Sequence, residues 1–589
     1  MPTISRTLQL LLAAIAVCCA PRAFAASHPA LEAQHGMVVS AQHYASEAGV
    51  AILQQGGNAI DAAVAVGYAL AVVNPCCGNI GGGGFMTIHL ADGRDTFINF
   101  REMAPAAASE KMYLDAQGNA ITDLSLYGYL AAGVPGTVMG LDRALTEYGK
   151  LSRTTVMAPA IALARDGYIL QRGDTDVLDA GAPHFGKDPV ASKIFLRPDG
   201  TNFQPGDRHV QSDLAATLEL IAEKGPDGFY KGRIPQAVEE ASKRNGGILT
   251  AQDFANYTTT EGPPLSCSYR GYVLISSPPP SSGGTTICEI LNILEGYDLN
   301  SLGFHSAQSV HLMVEAMRHA YLDRNTHLGD PAFVKNPIEH LLSKDYAAAI
   351  RARIDPKKPS RSSELQPGSS PHERPETTHY SVIDKDGNAV SVTFTVNNLF
   401  GNNVIAPGTG FFLNDEMDDF TVKPGAPNLS GLVQGEANAI EPGKRPLSSM
   451  SPTLVTKDGK IFLVVGSPGS SRIITITLET VMNIVDYGME PQEAVNAPRI
   501  HHQWLPDMVF YEPYALSPDT LKLLADRGYT LVEQAPWGAA ELIEVGAVAA
   551  ASNATASSGQ DSARSGKVLP GFLYGANDDR RPAGSAAGY

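Results

Sequence analysis

Residues 377–393 read Thr-Thr-His-Tyr-Ser-Val-Ile-Asp-Lys-Asp-Gly-Asn-Ala-Val-Ser-Val-Thr. Two runs rich in strand-forming residues flank the turn Lys385–Asn388, a pattern typical of a β-hairpin. Thr377 opens the first run. A cut before Thr377 would give this residue both a hydroxyl and a free α-amine, whose unperturbed pKa is about 7.7–8.0. One residue would then carry a nucleophile and its own base, the combination that acyl transfer needs.

Taken alone, residues 377–384 indicate no more than one arm of a hairpin. The rest of the chain adds further motifs in a fixed order. These are GGNAIDAAVA (56–65), GGGGFM (81–86), NFREMAP (99–105), GVPG (133–136), PPPSSGG (278–284), MDDF (417–420), KRPLSSMSPT (444–453), GSPGSSRII (466–474) and APRIHHQWLPD (497–507). With residues 377–393, they make the chain resemble the γ-glutamyltranspeptidase family, bacterial secreted type, over nearly all of its mature length.

The resemblance implies an α+β fold, the four-layer αββα sandwich of N-terminal-nucleophile hydrolases. It also implies that one precursor yields two subunits that stay associated. We expect a large, helix-rich subunit over 26–376 and a small, strand-rich subunit over 377–589 that carries the nucleophile. A low-complexity stretch at 546–567, rich in Ala and Ser, predicts a flexible insertion because small polar residues bury little surface.

Hydrophobic periodicity and turn signals predict where helices and strands lie. Helices are predicted over 46–55, 59–73, 141–148, 154–166, 214–224, 474–487 and 491–497. Strands are predicted over 85–90, 96–100, 378–383, 389–396, 410–413, 452–456 and 460–465. The Pro- and Ser-rich stretch at 355–376 predicts an exposed linker just before Thr377.

The charge of the chain argues against one class of partner. The 589 residues carry a formal net charge of −17, which argues against nucleic acid because phosphate binding needs Lys and Arg.

The N-terminal residues are typical of a secretory signal cut after Ala25: Arg6, the apolar run 8–17 and the small-x-small pattern at 23–25. The run is too short to span a bilayer. We therefore expect a periplasmic or secreted protein without a membrane span.

The resemblance implies that the precursor cuts itself between Glu376 and Thr377. The freed Thr377 would then take the γ-glutamyl group from glutathione or related γ-glutamyl compounds as an ester. Water, an amino acid or a dipeptide would accept that group. Thr395 matches the threonine that hydrogen-bonds the nucleophile, and Gly469 and Ser470 match the loop whose N–H groups stabilise the oxyanion. No cofactor and no metal is implied.

Donor binding needs cations and hydroxyls for the α-carboxylate and acidic groups for the α-ammonium. Arg101 matches the family arginine for the carboxylate, where a planar guanidinium suits two oxygens. Two serines match the residues that assist it, and three polar residues match those that hold the ammonium. The serines are Ser448 and Ser449, and the ammonium residues are Asn397, Glu416 and Asp419.

Three features of the sequence leave alternatives open. The family often has an aromatic residue in the loop over the donor site, where this chain has Ser430, so we expect a higher ratio of hydrolysis to transfer. Cys267 and Cys288 could bridge in an oxidising compartment, whereas a bridge between the adjacent Cys76 and Cys77 would be of a rare kind. Gly81–Gly84 lacks the Lys-Ser/Thr of a phosphate loop and predicts close backbone packing beside the active site.

Two other functions fit the same scaffold. One is an amidase specialised for another acyl group, a glutaryl or cephalosporin acylase. Asp419 argues for a γ-glutamyl donor, because a donor without an α-amine would not need that carboxylate. The other is a periplasmic binding protein that has lost its chemistry, which the presence of Thr377, Thr395 and Gly469 opposes.

Overall fold

The structure is a computed structural model that describes residues 27–365, 375–546 and 569–589. Its strands are β1 (Leu31–Ala33), β2 (Gly36–Ser40), β3 (Gly83–His89), β4 (Asp95–Phe100), β5 (Tyr168–Ile169), β6 (Arg208–His209), β7 (Thr260–Gly262), β8 (Leu265–Tyr269), β9 (Tyr272–Ser276), β10 (Pro375–Asp384), β11 (Ala389–Asn398), β12 (Thr453–Lys457), β13 (Lys460–Gly466), β14 (Ile500–His501), β15 (Val509–Tyr511), β16 (Leu531–Glu533), β17 (Glu541–Val545), β18 (Leu573–Asn577) and β19 (Ser585–Gly588).

The α-helices precede, separate and follow these strands. They are α1 (His43–Gln54), α2 (Ala59–Val73), α3 (Thr122–Leu126), α4 (Thr137–Tyr148), α5 (Arg153–Asp166), α6 (Arg172–Phe185), α7 (Pro189–Phe195), α8 (Ser212–Lys224), α9 (Asp227–Tyr230), α10 (Arg233–Arg244), α11 (Ala251–Asn256), α12 (Gly283–Leu294), α13 (Leu299–Leu302), α14 (Ala307–His327), α15 (Ile338–Leu341), α16 (Lys344–Arg351), α17 (Ile473–Val485), α18 (Pro491–Asn496) and α19 (Pro518–Arg527).

Two seven-stranded sheets form the centre of the molecule. One has the order β1-β18-β17-β13-β12-β9-β8 and the other β19-β2-β10-β11-β3-β4-β7. The sheets face each other through β10, β11 and β13. Helices α1 and α2 cover the outer face of the second sheet, and α12, α17 and α18 cover the first. This is the four-layer αββα arrangement of the predicted α+β fold.

The hairpin of β10 and β11 lies at the centre of the second sheet. Its turn is held by Asp384, whose Oδ1 accepts hydrogen bonds from the backbone N–H groups of Asp386 (2.9 Å) and Asn388 (3.0 Å). Gly387 adopts a φ of 92°, which residues with a Cβ rarely adopt. The register places Thr377 directly opposite Thr395. The local turn chemistry therefore brings these two hydroxyls together.

Helix α2 packs behind this hairpin and is buried along its whole length. Asn58 and Asp61 form a reciprocal capping box at its start: the Asn58 side chain accepts from the Asp61 N–H, and Asp61 accepts from the Asn58 N–H. Such a cap satisfies N–H groups that a buried helix end would otherwise leave without partners. Asp61 also accepts from the N–H groups of Lys150 and Leu151, which fixes α2 against the end of α4.

Two expectations need correction. Residues 410–413 form no strand; Phe412 makes only an isolated β-bridge, to Ile405. The predicted linker at 355–376 is not exposed throughout, since Ser362 is fully buried and β10 begins at Pro375. Both of the cysteine pairings that the sequence leaves open are present: Cys267 is bonded to Cys288, with Cα atoms 5.9 Å apart, and Cys76 is bonded to the adjacent Cys77.

Two of the predicted segments fall on residues that the structure does not describe. The signal segment 1–25 lies outside the described residues, and so does most of the predicted insertion at 546–567. Within the ranges that are described, no helix has both the length and the apolar character needed to cross a membrane.

Candidate active site

Thr377 and Thr395 face each other across the central hairpin and are both buried. Their Oγ1 atoms lie 3.3 Å apart, and the Thr395 hydroxyl accepts from the backbone N–H of Asn397 at 2.8 Å. Asn397 has a φ of 74°, a left-handed conformation that Asn tolerates better than most residues. The Asn397 side chain donates to the Asp415 carbonyl at 3.1 Å. The second hydroxyl is thus fixed beside the first.

The backbone of the glycine run approaches this pair closely. A Cβ atom at Gly82 would lie 1.8 Å from the Thr395 carbonyl oxygen, and one at Gly81 would lie 2.1 Å from that of Phe412. Neither distance is compatible with a side chain. The predicted close packing of Gly81–Gly84 is therefore confirmed, and glycine is required there because β3 and β11 are neighbours at the site.

The loop that follows β13 carries the predicted oxyanion donors. Gly469 has a φ of 133° and Ser470 one of 53°, so consecutive residues lie in conformations that favour glycine. Such a turn directs successive N–H groups to one side, where they can receive negative charge. Ser470 lines the same cavity as Thr377, Thr395 and Asn397. The left-handed conformation of Ser470 is strained, because its Cβ lies close to the following carbonyl oxygen.

His379 positions that loop against the nucleophile strand. The imidazole is fully buried and contacts Gly466, where a Cβ would lie 2.3 Å from its Cε1. Its Nδ1 lies 2.8 Å from the Thr393 hydroxyl. Burial lowers the pKa of His379 to about 3, so the ring is neutral. No motif in the sequence assigns His379 a role, although it stands two residues from Thr377 on the same face of the strand.

Arg101 lies at the other end of the cavity and is fully buried among carboxylates. It forms ion pairs with Glu416 and Asp419, and with Glu102 at 3.3 Å. The family resemblance implies that Arg101 binds the donor's α-carboxylate and Asp419 its α-ammonium. In the structure these two side chains are paired with each other. A donor with an α-carboxylate and an α-ammonium could insert these groups between Arg101 and Asp419. The one ion pair would then be replaced by two, Arg101 with the carboxylate and Asp419 with the ammonium.

Burial changes the protonation of this acidic cluster. Burial raises the pKa of Glu102 to about 7, against the opposing effect of Arg101. Burial likewise raises the pKa of Asp418 to about 6, and those of Glu416 and Asp415 well above their usual range. Each shift disfavours the carboxylate form, and Arg101 opposes the shift for the two carboxyls Glu102 and Glu416 that it contacts. This limits the negative charge that the site concentrates around one guanidinium.

Arg324 is a second buried cation at the cavity, and it lies in none of the motifs that the sequence presents. Its Nη2 donates to the Ser449 hydroxyl at 3.1 Å and its Nε to the Ser282 hydroxyl at 2.9 Å. Its Nη1 donates to the side-chain oxygens of Asn325 and Gln434. These four partners are neutral. Burial lowers the pKa of Arg324 to about 10, so the guanidinium keeps its charge at neutral pH.

Ser448 and Ser449 also line the cavity. The Ser448 hydroxyl accepts from the Met450 N–H at 3.1 Å, and the carbonyl of Ser448 accepts from the Ser282 N–H at 2.7 Å. These bonds tie the serine pair to the start of α12. Arg324 comes from the last turn of α14, so three separate segments meet at this part of the cavity.

The loop at 427–431 closes over the cavity. Ser430 is buried, and its hydroxyl is hydrogen-bonded to that of Ser470. The Leu429 N–H donates to Asp418 at 2.9 Å, and Gln503 donates to the Ser430 carbonyl at 3.2 Å. The loop is closed in this structure despite having no aromatic residue. The predicted rise in the ratio of hydrolysis to transfer remains a prediction.

The fold brings most of the predicted site residues to one cavity. Nine of them line it: Arg101, Thr377, Thr395, Asn397, Glu416, Asp419, Ser448, Ser449 and Ser470. Gly469 borders an adjoining cleft instead. Glu376 lies on β10 next to Thr377. Within the part of the chain that the structure describes, His, Cys, Asp and Glu form no group of three or more that could hold a metal ion.

Comparison with known proteins agrees with this geometry. A family model described as gamma-glutamyltranspeptidase matches residues 45–571. The chain is 56% identical over 582 residues to the glutathione hydrolase proenzyme of Pseudomonas sp. (strain A14), with 99% of each chain covered. It is 49% identical over 563 residues to that of Escherichia coli (strain K12), with 95% of this chain and 93% of that one covered.

The fold also matches a solved structure along nearly its whole length. The cephalosporin acylase from Bacillus halodurans superposes with a TM-score of 0.82 at 26% identity, covering 96% of this chain and 98% of that one. The family model and the two relatives cover the segments that build the cavity. The chain belongs to the gamma-glutamyltranspeptidase family.

Proposed function

We propose that this protein is a self-processing γ-glutamyl hydrolase and transferase with glutathione among its donors, exported to the periplasm or beyond. The observation that carries the proposal is the Thr377–Thr395 hydroxyl pair, 3.3 Å apart, in one cavity with Arg101 and Asp419. The relatives are named glutathione hydrolase proenzymes, which supports both the donor and the processing.

Self-cleavage begins at an irregularity in the central hairpin. The ladder pairs Pro375 with Asn398 and Thr377 with Thr395, so the register shifts at Glu376. Bulges of this kind re-aim groups next to active sites. In the proposed step the Thr377 hydroxyl attacks the Glu376 carbonyl and displaces the Thr377 nitrogen, which gives an ester. Water then hydrolyses the ester and leaves Thr377 as a chain end.

Turnover uses the same atoms on an external donor. The freed α-amine of Thr377 takes the proton from its own hydroxyl, which attacks the donor's γ-carbonyl carbon. The N–H groups of the Gly469–Ser470 turn receive the oxyanion, an interaction of a type worth about 2.7–4 kcal/mol in the transition state. The leaving amine departs with the proton. Water or a second amine then cleaves the γ-glutamyl-Thr377 ester.

The donor's two charged groups select γ-glutamyl over other acyl groups. Arg101, Ser448 and Ser449 take the α-carboxylate, and Asp419, Glu416 and Asn397 take the α-ammonium. A glutaryl group has no α-amine, so its carboxylate would take Arg101 from the half-buried Asp419 and leave that carboxylate without a cation, which is costly. The resemblance to a cephalosporin acylase makes that acyl group the rival substrate.

The test is hydrolysis of γ-glutamyl-p-nitroanilide beside glutaryl-p-nitroanilide, each with and without glycylglycine. We expect chromophore release from the γ-glutamyl compound and a faster release with glycylglycine. Preference for the glutaryl compound would favour the acylase. Full release by a Thr377→Ala variant would overturn the mechanism, and failure to release either chromophore would favour a binding protein.

A further inference from the structure

Two loops of the cavity are joined by a pair of serine hydroxyls. One is the covering loop, residues 427–431, and the other is the oxyanion turn, residues 469–470. The hydroxyl of Ser430 in the covering loop is hydrogen-bonded to that of Ser470 in the turn. Both residues line the cavity of Thr377, and Ser430 is buried. A side chain of the covering loop therefore contacts the turn that would receive the oxyanion.

Gln503 makes a second connection between the same two loops. Its Nε2 donates to the Ser430 carbonyl at 3.2 Å, and its Oε1 accepts from the Ser471 hydroxyl at 2.7 Å. Gln503 is buried and belongs to the sequence motif at 497–507, to which the proposed chemistry assigns no step. One amide thus holds both the covering loop and the residue that follows the oxyanion turn.

The orientation of Gln503 is itself fixed by its neighbours. Its Oε1 lies 2.9 Å from Nε2 of His501, and its Nε2 also donates to the Leu505 carbonyl at 3.2 Å. His501 in turn has its Nδ1 2.9 Å from the Thr475 hydroxyl in α17. Burial lowers the pKa of His501 well below its usual value, so this ring is neutral. An amide held at both of its polar atoms keeps one orientation toward the covering loop.

The backbone of Ser470 is the part of the turn that needs this support. Ser470 has a φ of 53°, a conformation that a residue with a Cβ keeps only where its surroundings impose it. The bond to Ser430 is such a restraint, because it acts on the side chain of the strained residue. Successive N–H groups converge on one anion only while the left-handed conformation is kept. Holding the Ser470 side chain therefore preserves the oxyanion donors.

The covering loop is also anchored at the acidic end of the cavity. The Leu429 N–H donates to Asp418 at 2.9 Å. Asp418 precedes Asp419, which pairs with Arg101. Two adjacent residues of one loop thus contact the two ends of the cavity, Leu429 the acidic end and Ser430 the oxyanion turn. The loop connects the place where the donor's charged groups would bind with the place where its carbonyl would react.

We propose that Ser430, Ser470 and Gln503 form a latch that holds the oxyanion turn in its reactive conformation, and that Ser430 and Gln503 are positioning residues for the transfer to Thr377. The inference rests on the proposed function. In that step the C–O bond to Thr377 forms and the donor's C–N bond breaks. The proton of the hydroxyl passes through the α-amine to the leaving amine. The latch acts while the carbonyl oxygen carries negative charge.

The first arm of the test measures the first release of chromophore from γ-glutamyl-p-nitroanilide, the step that forms γ-glutamyl-Thr377. We expect Ser430→Ala to lower its maximum rate roughly tenfold. The donor concentration at half-maximum rate should change by less than about twofold, because the lost bond supports the transition state and not the bound donor. Gln503→Leu should act in the same direction. An unchanged rate in either variant would overturn the role given to that residue.

Ser266→Ala is the matched control. Ser266 is exposed in β8, the edge strand of the first sheet, and it does not line the cavity of Thr377. This variant should keep the wild-type rate of first release.

The second arm assigns the loss to the turn. Glycine adopts a left-handed conformation without support from a side chain, so adding Ser470→Gly to Ser430→Ala should restore most of the rate. Adding Ser470→Ala should not restore it, and this double variant should be no slower than either single variant, since both changes remove the same hydrogen bond. Failure of the glycine to restore the rate, or losses that multiply in the double alanine variant, would overturn the latch.

A covering loop that only excludes water gives a different result. Ser430→Ala would then leave the first release unchanged and would speed the hydrolysis of γ-glutamyl-Thr377, an outcome that overturns the latch and leaves the proposed function intact. Wild-type enzyme that releases no chromophore contradicts the proposed function itself. If Ser430→Ala is not cut to two chains, self-cleavage becomes the rate compared, and Ser470→Gly should restore it in the same way.

Discussion

Arg324 gains its significance from its neighbours rather than from its sequence context. In the sequence it is one arginine in a long helix, and such residues are most often exposed. The fold buries it against Ser449, Ser282 and Gln434, while Arg101 is already paired with carboxylates. We infer that Arg324 positions Ser449 and supplies positive charge for the donor's α-carboxylate.

Replacement of Arg324 tests this role. We expect Arg324→Gln to lower kcat/KM for γ-glutamyl-p-nitroanilide by roughly 10–100-fold, mainly through KM, because a charge-assisted hydrogen bond is lost. A donor without the α-carboxylate, 4-aminobutyryl-p-nitroanilide, should lose much less. Arg324→Lys, which keeps the charge, should recover part of the loss. Equal losses for both donors would show that Arg324 is only structural.

Glu102 makes the stability of the site depend on pH. Burial raises the pKa of Glu102 from 4.5 to about 7. Between these two pH values the folded state therefore holds a proton on Glu102 that the unfolded state has released. Stability from this group is complete below about pH 4.5 and is lost as pH rises to about 7. Glu102→Gln, an analogue of the protonated acid, should therefore gain thermal stability relative to wild type between pH 5 and pH 8.

The measurement compares unfolding temperatures at the two pH values. Glu110→Gln serves as the control, because Glu110 is exposed. A constant difference between Glu102→Gln and wild type across this pH range would contradict the raised pKa.

The close approach of β3 to β11 decides whether the nucleophile pair forms. A methyl group at Gly82 would lie 1.8 Å from the Thr395 carbonyl, so Gly82→Ala must push Thr395 away from Thr377. We expect the precursor to remain uncut, with stability reduced by at least about 1–3 kcal/mol. Gly262→Ala in β7 of the same sheet, where the added Cβ meets nothing within 4 Å, should be processed normally. Gel electrophoresis distinguishes the two, and efficient cleavage of Gly82→Ala would contradict the account.

Elements were predictable where the local pattern agrees with the tertiary environment. Residues 59–73 were predicted as a helix and form α2 over that range, because an apolar run with an Asn cap suits a helix buried on all sides. Residues 410–413 resemble a buried strand in composition. Positive φ angles at Gly408 and Gly410 turn the chain there, so Phe411 and Phe412 are buried from a loop instead.

The layer order and the meeting of distant segments were not available from periodicity. The expected four-layer fold came from the family resemblance, and the structure confirms it. The pairing of Arg101 with Glu416 and the burial of Arg324 depend on contacts between segments more than a hundred residues apart. Local propensity contains no such information.

The two pieces of the cut chain are expected to remain together because both sheets contain strands of each. In the second sheet, β2 from the first piece lies between β19 and β10 of the second piece, and in the first sheet β1 pairs with β18. Separation would break backbone ladders within a continuous core. We expect co-elution in native gel filtration and separation only in denaturant; separation without denaturant would contradict this topology.

The intact masses and N-terminal residues of the purified chains test the central claim most directly. That claim is that the hydroxyl of Thr377 is freed with its own amine. We expect two polypeptides of roughly 37 and 23 kDa, in proportion to their share of the 62.3 kDa chain, and the smaller should begin at Thr377. Thr377→Ala should remain uncut. A wild-type enzyme that hydrolyses γ-glutamyl-p-nitroanilide at full rate as a single unbroken chain would contradict the account.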